Sequence, residues 1–428
     1  MPDAQADISP LVDRRRALAR EWGELVARAR RLDGFADFLG PPRLATLLPA
    51  AVNGPVVVVN VSRWRCDALL VRTSGVRVVA LPGLTAAEVV ARADGYLRVL
   101  RNVDEAARAL YRTRLRHDAG DRTPDATAAH TAAKRRLHVA QREREATLAA
   151  IMEWLWTAVA DPVLTALGFV DTPAHRPWPR VWWCPTGPLA LLPLHAAGYH
   201  AERRAVLDRV VSSYTPALRV LARAAREPAP ADADPRILVV APPEAPDQVP
   251  LRAAARQRDL LTSLFADRAT LLAGAAATRD AVRAHLPRHR WAHFICHGRQ
   301  DLADPARGGV VLHDGTLSVA DVGAGRYRGE FAFLPACRTA IGGAPADEAV
   351  TLAAALHHTG YRHVVGTLWS VHDSTAADVV RAVYTDLTVT GAFEPDRAAY
   401  ALHDAVRALR DMPGLPSSAW TPFTHTGP

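Results

Sequence analysis

Cysteine is scarce. Cys66, Cys184, Cys296 and Cys337 are the four in 428 residues, with neither CxxC spacing nor the density of a small secreted scaffold, which excludes a disulfide framework and leaves the thiols expected to be reduced. Lysine is scarcer still: Lys134 is the only one, so the net charge of +8 rests on arginine. Those arginines alternate with Ala, Asp and Glu along stretches such as residues 14–31, the pattern of solvated helix faces rather than of a phosphate-binding surface. No nucleic-acid partner is expected. A long apolar run is also missing, because residues 181–199, the longest apolar stretch, are interrupted by Pro185, Gly187, Pro188 and Pro193. Residues 1–10 are polar and acidic and lack a signal-peptide core. Neither membrane insertion nor secretion is expected, and the expected location is the cytoplasm.

What is present is an ordinary globular composition, 49% hydrophobic and 22% charged, too apolar for global disorder. The length allows two or three domains. Helical spacing of Leu18, Trp22, Leu25, Val26, Ala29 and Leu32 predicts short amphipathic N-terminal helices within residues 1–50, their apolar face packed. Apolar runs at 56–61, 67–72 and 76–81, with Ser74-Gly75 between the last two, predict a β-meander. Two long helical patterns, 85–116 and 125–167, predict a helical hairpin. A strand at 180–183, a helix near 191–197 and a strand over 206–214 complete a first domain at 51–226. Residues 227–235 (EPAPADADP) have a linker composition.

From residue 236 onward strand and helix patterns alternate: strands at 237–240, near 271, at 291–296, 331–335 and 363–367, a hairpin at 309–318, and helices at 251–265, 278–286, 347–360 and 374–387. That alternation predicts an α/β domain with a mainly parallel sheet and helices on both faces. In such a sheet reactive groups gather beyond the carboxyl ends of the strands. Two apolar strands end there in reactive residues, one in His297-Gly298 and the other in Cys337, 40 positions apart.

At these residues the chain resembles the CHAT peptidases, relatives of caspases and separases, over about residues 54–427. The motifs are His293-Phe-Ile-Cys-His297-Gly298, Ala336-Cys337-Arg-Thr-Ala340, Gly342-Gly343 through Asp347-Glu348, Gly366-Thr-Leu-Trp369-Ser-Val-His-Asp373 and Trp420-Thr-Pro-Phe423. The resemblance implies a caspase-like catalytic domain at 236–428. Before it, residues 51–226 look similar to the inactive caspase-like domain that precedes the active one in separases. It also implies a cysteine endopeptidase acting on a protein substrate in a bacterial defence or cell-death setting, with a pore-forming protein or a regulatory activator as partner and no cofactor.

A thiol titrating near ~8.5 needs a neighbouring imidazole to be reactive at neutral pH. Cys337 is therefore assigned as nucleophile and His297 as general base and then acid, with the backbone amides of Gly298 and Cys337 as oxyanion donors. Cys66, Cys184 and Cys296 read as core residues and His293 as a satisfied strand histidine. Zinc held by His293, Cys296, His297 and Cys337 competes with this reading, but adjacent strand residues point to opposite faces. Asp373 stands where separase relatives carry an acidic residue, which favours Arg or Lys before the cut, with Trp369 as the pocket wall. Its competing role is to cap the helix at 374–387. Asp347 and Glu348 read as helix-start residues. The rival function is a catalytically silent caspase-like interaction module.

Overall fold

Four consecutive valines open the strand Val56–Asn60, and β-branched side chains fit a pleated, buried surface better than a helix. The structure, a computed structural model, describes residues 9–32, 38–226, 234–242, 251–299, 304–335 and 351–428. Val56–Asn60 pairs antiparallel with Asp67–Arg72, and that strand with Gly75–Ala80, so the predicted meander is present. On its other side Val56–Asn60 runs parallel to Arg180–Pro185, which runs parallel to Val211–Tyr214.

The second set of strands comes from residues 237–428. Ala269–Ala273, Ile237–Ala241, Trp291–Phe294, Phe331–Phe333 and His363–Thr367 lie side by side in that order, all parallel. Phe423–Thr426, expected only as part of a closing motif, is also a strand. It lies antiparallel on His363–Thr367 and parallel to Val211–Tyr214, and it joins both sets into one eleven-stranded sheet. The two sets of parallel strands therefore run in opposite directions. Segments 51–226 and 236–428, expected as separate domains, form halves of one sheet within a single unit, Leu48–Pro428. Residues 227–233 of the expected linker lie outside the described residues.

Side chains staple the seam between the halves, where Thr426 and Tyr214 are the paired residues. Ser213 Oγ is 2.8 Å from His425 Nδ1, His425 Nε2 is 3.1 Å from His363 Nδ1, and His363 Nε2 is 2.8 Å from Asp396 Oδ1. Arg180 donates to Ser213 Oγ at 2.6 Å, and Trp182 Nε1 to the Gly427 carbonyl at 2.7 Å. Nearby, His195 Nε2 donates to the Thr421 carbonyl at 2.8 Å while its Nδ1 bonds the Tyr214 hydroxyl at 2.9 Å. Burying a polar group is costly unless it is partnered in this way.

Thr85 and Thr123 accept from the amides of Glu88 and Ala126 at the starts of the helices Ala86–Asp118 and Pro124–Leu155, the predicted hairpin. The second helix continues through a wide turn, Trp156–Ala160, into Asp161–Leu167, and ends at Gly168 with φ 83°, a left-handed conformation that favours glycine. The run Pro124–Leu167 contains a stretch apolar enough to cross a membrane by length and composition. Its large apolar side chains Leu148, Ile151, Leu155 and Trp156 lie in the core instead. The helix expected near 191–197 is replaced by the tight turns Gly187–Leu191 and Leu194–Ala196, because Pro188 and Pro193 lack amide donors. The strand expected over 206–214 is reduced to Val211–Tyr214. In the N-terminal unit, Met1–Leu47, the helix Ser9–Ala29 forms as predicted. Leu18, Trp22 and Leu25 on it are exposed.

Candidate active site

Strand geometry sorts the residues that lead to His297. Trp291 and Ile295 pack in one core cluster with Phe331 and Phe333, whereas Ala292, Phe294 and Cys296 pack in another with Val310 and Leu334. His293 shares the first face, with Nδ1 3.1 Å from the Tyr384 hydroxyl and Nε2 3.2 Å from Gln257 Oε1. Its ring stacks on Phe333 at 5.4 Å. Burial pushes the His293 pKa down to about 3, so it is a neutral core histidine with both nitrogens engaged. His293 and Cys296 therefore point to opposite faces, which removes the strand pair from the zinc arrangement. Among the described residues no group of His, Cys, Asp or Glu is placed to hold a metal ion.

The strand of the main sheet ends before His297, and the chain enters a small second sheet. Gly298–Arg299 pairs with Gly309–Leu312, which pairs with Gly315–Ser318 in the predicted hairpin. A Cβ on Gly309 would lie 1.9 Å from the Leu317 carbonyl oxygen, so only glycine permits this close approach. The His297 carbonyl accepts from the Val311 amide at 2.8 Å. That bond flanks the pair Gly298 and Val310. In this register the amide of Gly298 itself is not spent on the hairpin. His297 and Gly298 are half-buried, at the hinge between the two sheets and at the carboxyl edge of the parallel strands.

The neighbouring strand runs in a constant register: Trp291 faces Phe331, Ala292 faces Ala332 and His293 faces Phe333, an offset of 40 residues. The same 40 residues separate His297 from Cys337 in sequence. Beyond Phe333, the Leu334 amide donates to the Val365 carbonyl at 2.8 Å, and the described part ends at Pro335. Cys337, Gly342, Gly343, Asp347 and Glu348 lie outside the described residues.

Asp373 is the first residue of the helix Asp373–Leu387, with His372 in the capping position. Its carboxylate does not cap that helix, as one reading of the sequence expected. It accepts instead from the amide of Ala253, the residue that precedes the helix Ala254–Phe265. One oxygen thus ties together the starts of two helices at the carboxyl edge of the sheet, and the side chain is half-buried. Trp369 takes a role other than the expected pocket wall. It is 0% exposed, its Nε1 donates to the Ser418 carbonyl at 3.1 Å, and its ring meets Tyr96 edge-on at 5.2 Å. A ring enclosed on this scale clamps helices to the sheet and offers no face to a substrate.

Sequence reasoning passed over Gln257 and Tyr384, which hold His293, and the seam residues His363, His425 and Asp396. The signal in the sequence was Gln257 at helical spacing from Leu261 and Phe265, on the apolar stripe of its helix.

The fold has counterparts among solved structures. Two crystal structures of the Saccharomyces cerevisiae separase–securin complex match with TM-scores of 0.58 and 0.57, at 9% and 8% identity, over 90% and 94% of this chain. The chain spans only 30% and 32% of the length of those chains. The Arg-specific cysteine proteinase gingipain R aligns with a TM-score of 0.44 and 10% identity, over 63% of this chain and 67% of that one. At such identities the likeness to separase is one of fold. No curated protein matches the sequence. The family model described as CHAT domain does match, over residues 149–428, which is more than half of the sequence and includes both His297 and Cys337. The chain therefore belongs to the CHAT domain family, with a separase-like α/β fold.

Proposed function

We propose that the protein is a cysteine endopeptidase in which Cys337 is the nucleophile and His297 carries the proton. The observation behind this reading is the position of His297, at the carboxyl edge of a strand whose parallel neighbour leads toward Cys337 at an offset equal to their separation. His297 takes the thiol proton, and the thiolate attacks the scissile carbonyl. The oxyanion that forms accepts from the amides of Gly298 and Cys337. His297 then returns the proton to the leaving amine, and water releases the acyl group. The substrate is a specific protein partner, and the setting is cytoplasmic, in bacterial defence or cell death, with a pore-forming protein or an activator as partner. The named complex of separase with securin lends support to a protein partner.

A thiol-reactive peptide probe ending in Arg tests the assignment. It is expected to label the wild type and to leave Cys337→Ala unlabelled. Equal labelling of both would remove the enzyme reading and leave the silent interaction module.

Asp373 supplies the preference for Arg or Lys in this proposal, since a half-buried carboxylate pairs well with a guanidinium. Asp373→Asn keeps an oxygen acceptor for the Ala253 amide but loses the charge. The expected result is a preserved melting temperature with a roughly 10- to 100-fold loss of selectivity for Arg over Gln at the cleavage site, the scale of a hydrogen bond to a charged group. Unchanged selectivity would leave Asp373 as a helix tie alone.

A further inference from the structure

The helices Ala86–Asp118 and Pro124–Leu155 hold 33 and 32 residues, so each runs for roughly 50 Å at ~1.5 Å per residue. Only their roots enter the main core, through residues such as Val89, Tyr96, Leu100, Leu148 and Leu155. Farther out lies a small cluster of Val103, Ala106, Leu137 and Ala140. Beyond it, the buried residues on the two helices are Ala126 and Ala133. The distal part of the hairpin thus fully buries only small side chains, leaves Leu110, Tyr111, Thr113, His117 and His130 half-buried, and turns its cations to solvent.

That distal part carries a charge the sequence reading treated as scattered. Over residues 107–136, Arg and Lys outnumber Asp and Glu by eight to three, within a chain whose whole net charge is +8. All eight cations are exposed. At roughly 100° per residue, Arg101, Arg108, Arg112 and Arg116 fall within a stripe about 80° wide on the first helix. Glu105 lies in the same stripe, and Arg136 of the second helix approaches it at 4.0 Å, which extends the basic face across the pair. Two of the three carboxylates are already held within the hairpin, Asp118 by Arg114 at 3.4 Å and Asp121 by Arg116 at 2.8 Å.

We propose that this face is a docking surface for an acidic segment of a protein partner. It stands apart from the peptidase reading and holds whether or not Cys337 is a nucleophile. Guanidinium forks match carboxylates in a bidentate manner. Glu105 interrupts the stripe, which suits spaced carboxylates and opposes a continuous phosphate backbone. Tyr111, half-buried, is the only Phe, Trp or Tyr in residues 107–136, and the half-buried rings of His117 and His130 stack on each other at 5.8 Å, so the face is poor in aromatic platforms for bases.

The test is a fluorescence-anisotropy titration of the full chain with labelled poly-L-glutamate at ~0.1 M salt, where exposed charges are screened beyond about 10 Å. The triple variant Arg101→Gln, Arg108→Gln, Arg112→Gln retains good helix formers and is expected to bind about tenfold more weakly. A control triple at the exposed Arg288, Arg326 and Arg328, each changed to Gln, is expected to stay within about threefold of the wild type. Equal weakening in both variants, or weakening in neither, overturns the proposal. Tighter binding of a single-stranded DNA oligonucleotide of equal charge overturns it as well, because it would make the face a nucleic-acid site.

Discussion

Peptide hydrolysis by the His297→Asn variant is expected to fall at least about a thousandfold below wild type, with an unchanged circular dichroism spectrum. Asn cannot take a proton from Cys337 or give one to the leaving amine, and the site is half-buried rather than part of the packed core. The loss should appear in kcat with KM little changed, because the imidazole acts on the reacting atoms and not on substrate binding. The same variant separates base from nucleophile. Raising the pH through the range of a free thiol, ~8.5, should restore probe labelling in His297→Asn, since the thiolate then forms without help. Cys337→Ala should stay unlabelled at every pH. If His297→Asn retains wild-type turnover near neutral pH, the dyad is wrong and another group must activate the thiol.

Acid should destabilise the whole fold steeply. Burial lowers His195 and His357 to about 4, and His293 and His403 to about 3. In the unfolded chain these residues titrate near ~6.5. Between the two values the unfolded state binds protons that the folded state refuses, so stability rises with pH and is lost as pH falls below about 6.5. At pH 5 each such histidine costs roughly 2 kcal/mol relative to pH 8, and four together approach the whole ~5–15 kcal/mol of a typical domain. His363 and His425 are lowered by burial too and act in the same direction. Thermal melts at pH 7.5 and pH 5 should therefore differ by roughly 10 °C. Coincident melts would mean that these imidazoles are not buried and neutral.

The weight that histidine carries here was only partly visible beforehand. His293 could be read as a core residue because it sits inside a short apolar run with alternating faces. His425 and His363 are 62 positions apart, and their contact depends on the antiparallel insertion of Phe423–Thr426 between strands from both halves. No periodicity in a local window encodes that insertion. Asp373 shows the same limit at closer range. An acid at a helix start predicts a cap for its own helix, yet the amide it binds belongs to Ala253, on an element 120 residues away in sequence.

Alternating hydrophobicity, proline and glycine positions and the strand-end His297 were enough to determine a mainly parallel α/β sheet with His297 at its carboxyl edge. These signals are local, set by backbone sterics and by which face of an element is apolar. Only the tertiary structure decided that both segments share one sheet, that Trp369 is sealed in the core and that the basic charge gathers on a projecting hairpin. Each of these depends on which distant surfaces exclude water together. That is a property of the packed whole, and short stretches of chain do not carry it.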